Sequence, residues 1–118
     1  MYTVTKRVEV AGSHRLNLNY ESKCSNVHGH NWIITVECIC DRLNENGMVI
    51  DFTDIKNIVM KLDHNNLNDL FSFNPTAENI AHWICDELNK KGSTNNLSFM
   101  CRKVTVQESE GNVATYEI

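Results

Sequence analysis

Cys24-Ser25-Asn26-Val27-His28-Gly29-His30 places one thiol and two imidazoles within seven residues and runs on as Asn31-Trp32-Ile33-Ile34-Thr35-Val36-Glu37-Cys38. Strand side chains alternate faces, so His28 and His30 project on the same side as Trp32, Ile34, Val36 and Cys38. That side is apolar and therefore faces inward. A charged imidazolium would be costly there, whereas a neutral imidazole bound to a metal would not.

The chain before this stretch repeats the pattern. Val4, Lys6, Val8, Val10, Gly12 and His14 occupy the even positions, against Thr3, Thr5, Arg7 and Glu9 on the odd ones. This is strand alternation with one lapse at Lys6, and His14 ends the apolar face. If the two strands pair antiparallel, the end of the first lies beside the start of the second, and His14 joins His28 and His30. Three neutral histidines suit a catalytic zinc, which keeps three protein ligands and leaves a fourth position for water or substrate. Cys24 is either the fourth ligand of a structural site or a reactive thiol beside a catalytic one. The plain alternative is three partly buried histidines, each hydrogen-bonded locally.

A length of 118 residues fits one domain, 1–118, with its own core, and 42% hydrophobic content argues for a globular fold. A formal net charge of -4 without a basic run argues against nucleic-acid binding. No signal core and no membrane-spanning stretch are present, so the expectation is a soluble cytoplasmic protein. Five cysteines, an odd count without a secretory signal, make a disulfide framework unexpected. Cys38 and Cys40 resemble a C-x-C metal pair, but like Cys85 and Cys101 they read better as small buried hydrophobes.

In chain order, Arg15 to Val27 is a polar connection and the second strand spans about 30–41. Asn46-Gly47 is a tight turn, and Met48-Val49-Ile50 is a short extended piece. A helix follows from about Thr53, with Phe52, Ile55, Ile58, Val59 and Leu62 as its apolar stripe and Asp51 or Thr53 as its cap. Residues 65–69 read as a loop. A second helix opens at Asn74 to Asn79, with Pro75 in the first turn, Ile80, Ala81, Ile84 and Leu88 inward, and Gly92 as the stop. Two further strands cover about 98–108 and 114–118. The order ββααββ predicts an α+β fold, a four-stranded antiparallel sheet with two helices on one face. The other face needs a cover, which points to an oligomer closing the sheets into a barrel.

Two more clusters carry chemistry. Asp63-His64 at a helix end reads slightly better as an imidazole favouring the helix dipole than as an Asp–His proton relay. Glu108 follows Val104 and Val106 on an inward face, where a carboxylate needs donors: a lysine or arginine of the core, or the N–H edge of a guanidine-like heterocycle. Thr76 to Asn79 is first a helix cap and second a ligand contact.

Six pieces together make the chain recognisable: Gly12-Ser-His14-Arg-Leu16, Cys24-x-x-x-His28-Gly-His30, Met48-Val-Ile-Asp-Phe52, Leu62-Asp-His64-Asn-x-Leu-Asn68, Pro75-Thr-x-Glu-Asn79 and Val106-Gln-Glu108-Ser109. In this order and at these separations the sequence resembles the 6-pyruvoyltetrahydropterin synthase / 6-carboxytetrahydropterin synthase family over essentially its whole length. The resemblance implies a T-fold assembled as a homohexamer, two stacked trimeric barrels with active sites between subunits. It implies zinc held by His14, His28 and His30, and Cys24 as catalytic base. Asp63 and His64 would complete a proton relay from a neighbouring subunit. Glu108 would anchor the pterin ring, helped by Thr76, Ala77 and Glu78. Val10 and Gly12 depart from the aromatic and the alanine usual in that family.

The spacing of four from Cys24 to His28 is similar to the bacterial 6-carboxytetrahydropterin synthases of the queuosine route, whereas animal-type pyruvoyl enzymes resemble a longer spacing. The implied reaction acts on 7,8-dihydroneopterin triphosphate, a small-molecule substrate, and releases acetaldehyde and triphosphate. The alternatives are the sister 6-pyruvoyl activity and a non-catalytic zinc- and pterin-binding module, which could dispense with Cys24, Asp63 and His64.

Overall fold

In the computed structural model, which describes residues 1–118, two long strands form the frame: β1 (Tyr2–His14) and β2 (His28–Cys40). They pair antiparallel along their whole length, from Tyr2 opposite Cys40 to His14 opposite His28. Strand β4 (Met100–Ser109) lies on the other side of β2, and β5 (Asn112–Glu117) folds back on β4. The sheet order is β3-β1-β2-β4-β5. The four long strands are antiparallel as expected. The fifth, β3 (Asn65–Asn66), is a two-residue addition running parallel to β1 at Gly12 and Ser13.

Helices α1 (Phe52–Val59) and α3 (Ala77–Thr94) cover the face that carries the apolar even positions of β1 and β2. Asp51 caps α1 through its carboxylate, which accepts from the Thr53 amide at 2.8 Å. Beneath the helices, Trp32, Ile34, Val36, Ile55, Leu62, Ile80, Ile84, Leu88, Val104 and Val106 belong to one continuous buried cluster. Cys38, Cys40, Cys85 and Cys101 are buried in it as free thiols. Hydrogen bonding to Cys38 pushes the Cys101 thiol up to about 12, so it stays protonated.

Several local expectations give way to packing. Residues 65–69 are not a plain loop, because Asn66 caps the one-turn helix α2 (Leu67–Leu70), whose Leu67 is buried. Pro75 precedes the cap of α3 rather than entering its first turn; Thr76 is the cap, its Oγ1 accepting from the Asn79 amide at 3.1 Å. Gly92 does not end that helix, which continues to Thr94. It is buried, and a Cβ added there would lie 3.2 Å from the Phe99 ring. Glycine at this position lets the ring lie against the helix backbone. Phe52 is the first helical residue of α1 and is exposed rather than part of the inward stripe, and residues 48–50 form no strand although Val49 and Ile50 are buried.

The helix-free face is largely polar, with Thr3, Thr5, Arg7 and Glu9 of β1 exposed. An apolar cover is therefore not what this face demands. Open backbone is found instead at the sheet edges, since β3 pairs with only two residues of β1 and β5 has no outer neighbour.

Candidate metal centre

The antiparallel register puts His14, the last residue of β1, directly opposite His28, the first of β2, and sets His30 opposite Gly12. All three imidazoles reach the same end of the sheet, their ring centroids 4.6 Å (His14–His28), 4.8 Å (His28–His30) and 5.2 Å (His14–His30) apart. Trp32 stands edge-on below them, 4.9 Å from the His14 ring and 5.3 Å from the His30 ring. Its indole N–H donates to the Gly12 carbonyl at 3.1 Å, so the floor of the site is tied to both strands.

Backbone carbonyls orient two of the rings. Nδ1 of His14, a fully buried residue, donates to the Pro75 carbonyl at 2.8 Å, and Nδ1 of His28 donates to the Asn26 carbonyl at 2.7 Å. A carbonyl can only accept, so each Nδ1 carries the proton and each Nε2 is left with a lone pair. Nε2 of His14 and Nε2 of His30 are buried, and neither makes a hydrogen bond of good geometry, although the Glu108 carboxylate lies close to both. Buried polar atoms are rarely left in that condition. Burial holds His30 below its usual pKa, against the opposing attraction of the Glu108 carboxylate.

Glu108, on β4, brings its carboxylate into the same space, Oε1 lying 2.8 Å from His30 Nε2 and 3.3 Å from His14 Nε2. One ligand atom from each of His14, His28, His30 and Glu108 lies within 4.8 Å of every other. This group could hold a metal ion. The orphaned nitrogens, the carbonyl-oriented rings and the nitrogen-rich donor set all fit one. Glu108 meets no lysine or arginine of the core, one of the two partners its inward position left open.

Cys24 lies in a one-turn 3-10 helix, Lys23–Ser25, and shares a depression of about 340 Å³ with His28, His30, Glu108, Ser109 and Asn112. Ala77 and Glu78, at the start of α3, share a second depression of about 310 Å³ with Glu108. Thr76 spends its hydroxyl on the helix cap. Glu108 thus lies between the histidines and the α3 start.

Asp63 and His64 form a pair of their own. Asp63 Oδ1 accepts from the Ala11 amide at 2.9 Å, and Oδ2 lies 2.8 Å from His64 Nδ1. The Ala11 N–H, and after it the His64 ring, hold the Asp63 carboxyl below its usual range. His64 adopts a positive φ of 56° and its side chain is 82% exposed. It lines a third depression, about 470 Å³, on the helix-free face with Ser13, Gly29 and Asn31. His64 and Cys24 line different depressions of one chain, with His30 bordering both.

The sequence pattern missed the Pro75 and Asn26 carbonyls that aim the rings. Pro75 lies 61 residues from His14, with no local signal to join them. Asn26, two residues before His28, was within reach of a local reading.

Residues 3–118 match the sequence model of the family described as 6-pyruvoyl tetrahydropterin synthase. An Archaeoglobus fulgidus protein, named provisionally as a 6-carboxy-5,6,7,8-tetrahydropterin synthase, is 45% identical over 92 residues, which are 75% of this chain and 73% of that protein. The 6-pyruvoyl tetrahydrobiopterin synthase of Homo sapiens is 32% identical over 137 residues, covering 97% of this chain and 90% of its own. The solved structure of Caenorhabditis elegans 6-pyruvoyl tetrahydropterin synthase superposes with a TM-score of 0.73 at 26% identity, covering 99% of this chain and 95% of that one. The fold is the T-fold of these pterin synthases, and the chain belongs to the 6-pyruvoyl tetrahydropterin synthase family.

Proposed function

We propose that this protein is a zinc-dependent lyase that converts 7,8-dihydroneopterin triphosphate to 6-carboxy-5,6,7,8-tetrahydropterin, with release of acetaldehyde and triphosphate, in queuosine (7-deazapurine) biosynthesis. What supports this most is one juxtaposition: His14 and His30 each hold an orphaned imidazole nitrogen, and His30 and His28 share one depression with the Cys24 thiol. The spacing of four from Cys24 to His28 and the 45% identity to the Archaeoglobus fulgidus protein favour the carboxy product.

His14, His28 and His30 would hold the zinc, which supplies Lewis acidity toward the oxygens of the substrate side chain when bound. Cys24 takes the proton from the side-chain carbon next to the pterin. Glu108 accepts N–H groups of the pterin ring, with Thr76, Ala77 and Glu78 lining the ring's far side. Asp63 orients His64, and the pair reaches Cys24 from a neighbouring subunit to carry the proton onward. A homohexamer of two trimeric barrels would use the open edges of β1 and β5 for closure, in a single T-fold domain working in the cytoplasm.

The second reading, triphosphate elimination to a 6-pyruvoyl product, is favoured by the 32% identity to the Homo sapiens enzyme. Mass spectrometry of products from zinc-loaded protein and 7,8-dihydroneopterin triphosphate separates the two. A 6-carboxytetrahydropterin with acetaldehyde is expected. A 6-pyruvoyl product selects the sister activity, and unchanged substrate with zinc bound removes both.

A further inference from the structure

Three depressions border the group of His28, His30 and Glu108, and their linings contain the carboxylates Glu78 and Glu108 but only one lysine or arginine, Lys23. Lys23 is exposed and takes part in none of the chain's ion pairs, which use Lys91 and Arg102 as their only lysine and arginine cations. A surface lysine without a partner is ordinary. This one lines the same depression as Cys24, His28 and His30, on backbone that is held in place. The Cys24 amide donates to Ser22 Oγ at 3.1 Å, the Asn26 amide to the Lys23 carbonyl at 3.0 Å, and the Leu16 amide to the Cys24 carbonyl at 2.7 Å. Across the depression, Ser109 and Asn112 are joined by a 2.9 Å hydrogen bond and present neutral polar groups.

We infer that Lys23 is the contact for the triphosphate of the substrate, pairing with it on binding and as it leaves. This rests on the proposed function. With the pterin ring at Glu108 and the side chain at the histidines, the polyanion must lie away from both carboxylates. Within one chain the cation available to it at the thiol end is Lys23. An ammonium on a flexible stem suits a mobile, multiply charged group that is held and then released.

The test uses zinc-loaded Cys24→Ala protein, in which turnover should be slow on the timescale of a titration, titrated calorimetrically with 7,8-dihydroneopterin and with its triphosphate at low salt. The triphosphate should bind more tightly. Lys23→Met should remove roughly two- to fivefold of that preference, the scale of one solvated charge pair. Affinity for 7,8-dihydroneopterin should stay unchanged, and Lys23→Arg should keep the preference. A full preference retained in Lys23→Met overturns the inference, as does an equal loss of both ligands, which would make Lys23 a structural residue. Failure of the Cys24→Ala parent to bind either pterin strikes the proposed function itself and removes the ground for Lys23.

Discussion

Nε2 of His14 and Oε1 of Glu108 face each other at 3.3 Å, and the nitrogen has no proton to offer, because Nδ1 is already committed to the Pro75 carbonyl. Two electron-rich atoms at that distance in a buried gap repel unless a positive charge lies between them. A metal ion, which this group could hold, would supply that charge without protonating a fully buried imidazole.

Zinc should therefore contribute to folding as well as to chemistry. At a hundredfold excess over Kd it adds about 2.7 kcal/mol, so chelation should lower Tm by roughly 10 °C. His28→Ala should lose the metal and most of this difference, read by metal analysis and melting. His30, held below its usual 6.5 by burial, stays neutral to lower pH than a free histidine, so zinc should be retained at neutral pH and released in acid, where metal and proton compete for that ring. A zinc-replete His28→Ala protein would remove that residue as a ligand.

Cys24→Ala should keep full zinc and the wild-type melting temperature, because Cys24 lies beside the histidines without being needed to orient them. Turnover should fall by about 10² to 10⁴, the range for loss of a general base. A residual rate near wild type takes the proton-transfer role away from Cys24.

Glu108→Gln keeps the shape of the side chain and removes its charge. A charge-assisted hydrogen bond of about 1.5–3 kcal/mol is lost on the pterin side, so KM should rise roughly tenfold or more. An unchanged KM sinks the anchor.

The part of this site that alternation could reveal lies on strands. His14, His28 and His30 share a face because strand period is two, and pairing the two strands antiparallel brings the three together. Glu108 was legible as an inward carboxylate for the same reason; its lodging against His14 and His30 depends on the β2–β4 register, which no local pattern encodes. Helix ends were less legible. Gly92 carries a stop signal, but tertiary packing of Phe99 makes the helix run past it. Strand β3 and helix α2 replace an expected loop because Leu67 is buried and Asn66 can cap.

Asp63 ties the chain after α1 to β1 through the Ala11 amide. Its pKa is lowered in the folded state, so its contribution is present above the usual 3.8 and is lost as pH falls through the folded value. Asp63→Asn should melt below wild type at pH 7, and the gap should close as pH drops beneath 3.8. A gap that is constant with pH would mean that the carboxylate charge contributes nothing.

His64 and Cys24 line separate depressions, and His64 points to solvent on the helix-free face. A relay joining them within one chain would need the exposed imidazole to reach past His30, whereas a second copy whose β1 edge met the β5 edge of the first would bring its own His64 toward the first copy's Cys24. Two inactive proteins, Cys24→Ala and His64→Ala, should therefore regain activity when unfolded together and refolded as mixed oligomers, since some interfaces then combine an intact Cys24 with an intact His64. Each variant refolded alone should stay inactive. Mixed oligomers as inactive as either parent, with mixing proven by native mass spectrometry, would put both residues to work within a single subunit and overturn the shared site.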